Sequence, residues 1–248
     1  MKAQRLDKLL ASTGKWSRRE AKLLIRQGRV LTDGVPAASA EAQLDPETAE
    51  IAVDGEPLRL RENTWVMLNK PAGVLSATED GAGPTVLDLL APELRRKGLF
   101  PVGRLDKDTE GLLLLTDDGA LAHRLLSPRH HVDKVYRARV DGCLTGEDCA
   151  AFRRGMVLKD GLHCLPAELE ILEAGAVSEA RITLREGKFH QIKRMLAARG
   201  KPVLYLRREK MGNLPLDPEL SSGAYRFLTD RELKTLQELE IPPKKDKT

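Results

Sequence analysis

A single carboxylate, Asp106, stands in the run Gly103-Arg104-Leu105-Asp106-Lys107-Asp108-Thr109-Glu110-Gly111, close to two basic residues and ahead of four consecutive leucines at 112–115. That apolar run is too short for a helix and ends in Thr116-Asp117-Asp118-Gly119, so the segment reads as a loop entering a buried strand. A rigid sheet can then aim Asp106. A carboxylate held this way can attack an electrophilic carbon or accept a proton. Most aspartates in glycine-rich turns only shape the turn, and Asp108, Asp117 and Asp118 are read as such turn or solvent-facing residues. The four aspartates could instead gather Mg²⁺, as in a metal-dependent nuclease. Two-metal chemistry needs its ligands close together, however, and the leucines part these carboxylates into two pairs a strand length apart.

The elements that must position Asp106 belong to a chain of 248 residues, enough for one medium domain and a small one. No run of about 18 apolar residues and no basic-then-apolar leader is present, so neither a helical membrane span nor a secretory signal is expected, and the expected location is the cytoplasm. Cys143, Cys149 and Cys164 lack C-x-x-C spacing, so neither a disulfide framework nor a structural zinc site is expected. No metal and no cofactor are expected. The net charge of +4 is modest, but its distribution is uneven.

Residues 1–30 carry Lys2, Arg5, Lys8, Lys15, Arg18, Arg19, Lys22, Arg26 and Arg29 against only Asp7 and Glu20. Leu6, Leu9 and Leu10 follow helical spacing. A second helix opens on Ser17 and Glu20 as a capping box, buries Ala21, Leu24 and Ile25, and ends at Gly28. Arg18, Lys22 and Arg26 recur every fourth residue on it, with Arg19 beside them, and so share the face opposite the apolar stripe. Such a face is commonly just solvated; the near absence of acids here favours a phosphate backbone as its partner. Two short strands broken by Asp33-Gly34 and Asp54-Gly55 follow.

From Trp65 the pattern changes. Strands are expected at 65–68, 134–140, 180–184 and 203–206, and helices at 147–154 and 190–199. Thr229 with Glu232 forms a further capping box, opening a helix to about residue 239. This order predicts an α+β domain on a mixed, mainly antiparallel sheet with flanking helices.

The GRLDKDTEG string with its leucines resembles the GRLD signature of RNA pseudouridine synthases of the RsuA/RluB type, which modify ribosomal RNA. Asn69-Lys70-Pro71-Ala72-Gly73 resembles the NKPxG turn of the same family. Arg5-Leu6-Asp7-Lys8-Leu9-Leu10, Ser17-Arg18-Arg19 and residues 25–30 with Asp33-Gly34 resemble an S4 RNA-binding domain. The expected organisation is an S4-like domain at 1–58, a linker at 59–63, a catalytic domain at 64–241 and a disordered basic tail at 242–248. The resemblance implies a bisected catalytic sheet with a central cleft.

It also implies roles. Asp106 is the essential carboxylate, and Tyr136 in Lys134-Val135-Tyr136 is the face on which the target uracil stacks. Lys193, in Gly187-Lys188-Phe189-His190-Gln191-Ile192-Lys193-Arg194-Met195, is the cation that keeps Asp106 ionised. Many relatives have arginine there; lysine keeps the charge but not the planar fork, so a single ion pair is expected. Arg104 fills or braces the gap left in the RNA, and Arg5, Lys8, Arg18, Arg19, Lys22 and Arg26 bind RNA through the S4-like domain. His190 and Gln191 shape the RNA site or the sheet edge. The implied reaction breaks the ribose C1′–N1 bond and rejoins the base through C5, with no net oxidation. Asp106 can start it at C1′, at uracil C6 or at the C2′ proton, and all three routes stay open. Extruding the base costs a few kcal/mol, and stacking returns about 1–3 kcal/mol.

The stretch Ser127-Pro128-Arg129-His130-His131 before Lys134-Val135-Tyr136 resembles the small-subunit branch. It implies 16S ribosomal RNA, or an assembling small subunit, as the partner of a monomeric enzyme. An enzyme for 23S ribosomal RNA and a noncatalytic RNA-binding assembly factor are the alternatives. His130 and His131 have no neighbouring ligand pattern that would make them a metal site.

Overall fold

The computed structural model describes residues 3–13, 15–46, 48–58, 63–81, 83–95, 98–127 and 132–239. The expected linker apart from Asn63, residues 128–131 and the expected tail lie outside the described residues. The chain divides into two compact units, Met1–Thr64 with Leu90–Leu99, and Trp65–Leu89 with Phe100–Thr248.

In the first unit, helices Leu6–Ser12 and Arg18–Arg26 pack on a sheet of order Val35–Pro36, Val30–Thr32, Ile51–Val53, Glu56–Leu58, antiparallel throughout. The second helix starts where Ser17 and Glu20 exchange both capping-box bonds. It stops at Gly28, whose φ of 68° lets Gly28 N donate to Ile25 O and Arg29 N to Leu24 O, satisfying carbonyls that the helix end would orphan. Asp33-Gly34 and Asp54-Gly55 both take positive φ, as two-residue hairpins that match strand twist require. Leu6, Leu9, Leu10, Ala21, Leu24 and Ile25 meet Val30, Ile51 and Val53 in one core. Each large aliphatic side chain so buried contributes about 1.5–3 kcal/mol.

The second unit is built on one mixed, mainly antiparallel sheet. Its order is Glu168–Glu173, Val177–Leu184, Lys134–Asp141, Val203–Met211, Glu110–Thr116, Trp65–Lys70, Tyr225–Phe227. Two antiparallel halves meet at a parallel seam between Val203–Met211 and Glu110–Thr116, with only Arg207↔Glu110 and Arg208↔Gly111 in register. Side chains extend this short seam. Arg208 Nε donates to Leu112 O at 2.8 Å and Tyr205 OH to Glu110 Oε2 at 2.9 Å. Gly111 is required there: its φ is 99°, and a Cβ would come within 2.2 Å of Arg208 O.

Leucines 112–115 are wholly buried, and Leu112 and Leu114 join Trp65 and Met67 in a core on one face of the sheet. Alternation sends Leu113 and Leu115 to the other face, so both faces are covered where the Asp106 loop enters.

Several elements differ from the sequence expectation. The 203–206 strand continues to Met211, because the seam and its antiparallel neighbours pair a stretch that its charges disguise. Asp118 does not merely turn the chain; its Oδ1 accepts from Leu121 N and caps a helix at Gly119–Leu126. The helix expected from 190 begins at Gln191, because His190 takes a left-handed φ of 51°. Thr145 and Asp148 form an unanticipated capping box for Gly146–Arg154.

Candidate active site

The backbone around Asp106 is pinned from two sides. Ser76 Oγ donates to Leu105 O at 2.9 Å and accepts from Leu105 N at 3.1 Å. Lys70 Nζ lies within hydrogen-bonding distance of the carbonyls of Pro71, Asp106, Lys107 and Thr109, at 2.9–3.2 Å. A buried ammonium thereby replaces a ladder that the loop cannot make. Burial pulls the pKa of Lys70 down to about 8, against the opposing pull of Asp108 and Asp106, so it stays mostly charged at neutral pH. Along the sequence this lysine reads only as part of the turn at 69–73. Its signal was a lysine ending an otherwise apolar strand.

Lys193 Nζ stands 3.2 Å from Asp106 Oδ2 and 2.5 Å from Asp108 Oδ1. The expected single pair is therefore a shared cation. Asp108 is solvent-facing, as read from the sequence, but it is also the nearer partner of Lys193 and not only a turn residue. Burial works to lower the pKa of Lys193, but hydrogen bonds to Asp108 and then Asp106 outweigh it and raise the pKa. The same bond holds the Asp108 carboxyl below the usual carboxylate range. His190 Nε2 is 3.6 Å from Asp106 Oδ1. The Asp106 side chain remains 26% exposed, so one part of it faces open space.

That space is a cleft lined by Arg104, Asp106, Thr109, Tyr136, Lys193 and Leu206, among others. Tyr136 comes from the middle of the Lys134–Asp141 strand, where Ile182 and Arg208 are its cross-strand partners, and is nearly buried. Three residues far apart in the chain thus line one cleft, and Arg104 lines it too. Thr109 Oγ1 is buried there with no hydrogen-bond partner among the described residues. Asp117 and Asp118 lie past the far end of the Glu110–Thr116 strand, on the order of 20 Å from Asp106 at 3.3 Å per residue. Among the described residues, no group of three His, Cys, Asp or Glu side chains could hold a metal ion.

The basic face of the first unit is divided. Asp7 is fully buried and is met by Arg5 at 3.1 Å, Arg18 at 3.1 Å and Lys22 at 3.9 Å. Hydrogen bonds from Arg5 and then Arg18 hold its carboxyl below the usual range despite burial. Lys8, Arg19 and Arg26 are exposed. Half of the expected RNA-binding set therefore also serves an internal carboxylate, which the charge count of the segment did not foresee.

Among the described residues, no helix is long and apolar enough to cross a membrane. A family model for RNA pseudouridylate synthase matches residues 64–198, and one for the S4 domain matches residues 4–49. The chain is 48% identical over 235 residues to the uncharacterized RNA pseudouridine synthase YtzG of Bacillus subtilis, covering 94% of this chain and 98% of that protein. It is 40% identical over 234 residues to ribosomal small subunit pseudouridine synthase A of Escherichia coli, covering 94% and 99%. The corresponding Vibrio cholerae protein is 39% identical over 233 residues, with the same coverage. A crystal structure of a pseudouridylate synthase superposes with a TM-score of 0.66 at 38% identity, over 94% of this chain and 99% of that one.

Proposed function

This chain belongs to the RNA pseudouridylate synthase family and carries an S4 domain, and we propose that it isomerises one uridine of 16S ribosomal RNA in the cytoplasm. The observation that carries this reading is the meeting of Asp106, Tyr136 and Lys193 in one cleft. The relatives named for the small ribosomal subunit support the choice of 16S RNA.

In this reading the target uracil leaves its stack and enters the cleft, where Tyr136 lies against its face. Arg104, at the exposed margin, takes the space that the base vacates. Asp106 opens the reaction at C1′, at C6 or as a base toward C2′, and Lys193, 3.2 Å from its carboxylate, holds it in position as water is displaced. The C1′–N1 bond breaks, the uracil turns, C5 bonds to C1′ and gives up its proton, and N1 takes one up. Reactant and product are isomers, so no oxidant or energy source enters the balance. Arg5, Lys8, Arg18, Arg19, Lys22 and Arg26 hold RNA by its phosphates. We take the monomer as the working unit.

The test is to incubate the purified protein with 16S and 23S transcripts and map pseudouridine in each. A single new pseudouridine in 16S RNA is expected. Modification confined to 23S RNA would replace the substrate, and none in either, with RNA still bound, would favour a noncatalytic assembly factor.

A further inference from the structure

Phe189 is 74% exposed at the edge of the cleft, between Lys188 and His190, which both line it. Isolated exposed apolar side chains are ordinary, so exposure alone decides nothing. Three further observations single this one out. Its ring stacks on the imidazole of His190, with centroids 3.8 Å apart and planes 18° apart, so the pair offers one flat, solvent-facing aromatic surface. Its loop is braced: Gln191 Nε2 donates to Glu186 Oε1 at 2.6 Å, Lys188 N donates to Gln191 Oε1 at 3.1 Å, and Lys188 Nζ pairs with Glu186 Oε2 at 3.1 Å. His190 keeps a left-handed backbone, φ 51° and ψ 32°, which is costly for a side chain with a Cβ and is retained where the surroundings impose it.

We propose that Phe189, backed by His190, is a stacking platform for an unpaired RNA base adjacent to the target uridine, separate from the Tyr136 face inside the cleft. The proposal rests on the reading of this cleft as an RNA-modifying site. Extrusion of a uridine unstacks its neighbours as well, and a flat aromatic surface beside the cleft can receive one of them. Every base presents a π-face, so such a contact is tolerant of sequence. Lys188 and Lys193 are held by Glu186 and by Asp106 and Asp108, but the exposed Arg104 lines the same cleft and can meet a phosphate, as a nucleic acid requires and an apolar protein anchor does not.

Full-length wild type, Phe189→Leu and Phe189→Trp are compared on a 16S transcript by filter binding, by single-turnover pseudouridine formation and by tryptophan emission. Leucine keeps apolar bulk but removes the ring, so the dissociation constant should rise roughly ten-fold while the rate at saturating RNA holds. Tryptophan should bind as well as wild type. Its emission should be quenched by the transcript beyond the change in wild type, whose Trp16 and Trp65 supply the background. Wild-type affinity in the leucine variant would assign Phe189 to a protein contact or to none and overturn the proposal. So would tryptophan emission that saturating transcript leaves unchanged. Quenching by RNA in a protein that forms no pseudouridine in either ribosomal RNA would instead sink the proposed reaction and leave the platform standing.

Discussion

Asp7 and Asp106 are both aspartates beside basic side chains, yet their surroundings differ in one decisive respect. Asp7 is fully buried and saturated, with two arginines at 3.1 Å and a lysine at 3.9 Å. Asp106 keeps a quarter of its side chain exposed and has to share Lys193 with Asp108. Asp148 resembles Asp7: burial would raise its pKa, but Lys201 at 2.6 Å and Arg199 at 2.8 Å outweigh burial and bring it to about 2. A carboxylate whose lone pairs are all engaged stabilises a fold. One left partly unengaged, on a loop whose backbone is held by Lys70 and Ser76, can react with what enters the cleft.

The contrast breaks most sharply under amide substitution. Asp106→Asn should lower single-turnover pseudouridine formation by about a thousand-fold or more, with RNA affinity and thermal midpoint close to wild type. Retained turnover would remove Asp106 from the reaction. A matching loss of thermal stability would make it a structural carboxylate like Asp7.

Lys193→Met should reduce the rate at saturating RNA by about a hundred-fold, while the salt dependence of binding stays as it was. A phosphate contact would behave differently, lowering the salt slope by about one unit and leaving the saturated rate intact. Lys193→Arg keeps the charge and should recover part of the rate. Asp108→Asn sharpens the point, since it leaves Asp106 as the remaining carboxylate partner of Lys193 in the loop; its rate should fall far less than that of Lys193→Met.

Asp7→Asn should do the reverse of Asp106→Asn. A loss of about 1–3 kcal/mol in the stability of the first unit is expected, moderated because Arg5 and Arg18 can turn to solvent. The folded carboxyl has a lower pKa than the unfolded one, so its stabilisation is complete above about pH 4. It is lost as pH falls through the folded value. Denaturant titrations at descending pH should therefore show the gap between wild type and variant begin to narrow only below about pH 4. A gap that widens as pH falls below that point would contradict this assignment.

The smallest effects are expected on the exposed face. Lys8→Gln, Arg19→Gln and Arg26→Gln should each weaken RNA binding a few-fold and lower the salt slope by about 0.7–0.9, with turnover at saturation unchanged. Slopes equal to wild type in all three would mean that these side chains are only solvated.

Much of the fold was legible along the chain wherever local rules act alone. The capping boxes at Ser17 and Thr229, the Gly28 stop and the Asp-Gly hairpins depend on neighbours within a few residues, and the structure has them where the spacing put them. The strand from Arg207 to Met211 was hidden, because partners distant in sequence supply its pairing. The helix after Asp118 was hidden for another reason: Asp-Gly is as good a cap-and-start as it is a turn, and only packing of Leu121, Ala122 and Leu125 into the core chooses between them.

The site divides the same way. Residue types and motif resemblance were enough to nominate Asp106, Tyr136, Lys193 and Arg104, because reactive side chains carry their chemistry with them. Their arrangement depends on distances between segments about 30 to 90 residues apart. Only the folded chain decides that Lys70 spends its charge on loop carbonyls, that Lys193 is divided between two carboxylates, and that Arg5 and Arg18 engage Asp7. Electrostatic partnership falls off over a few ångströms in space, and separation along the sequence does not measure it.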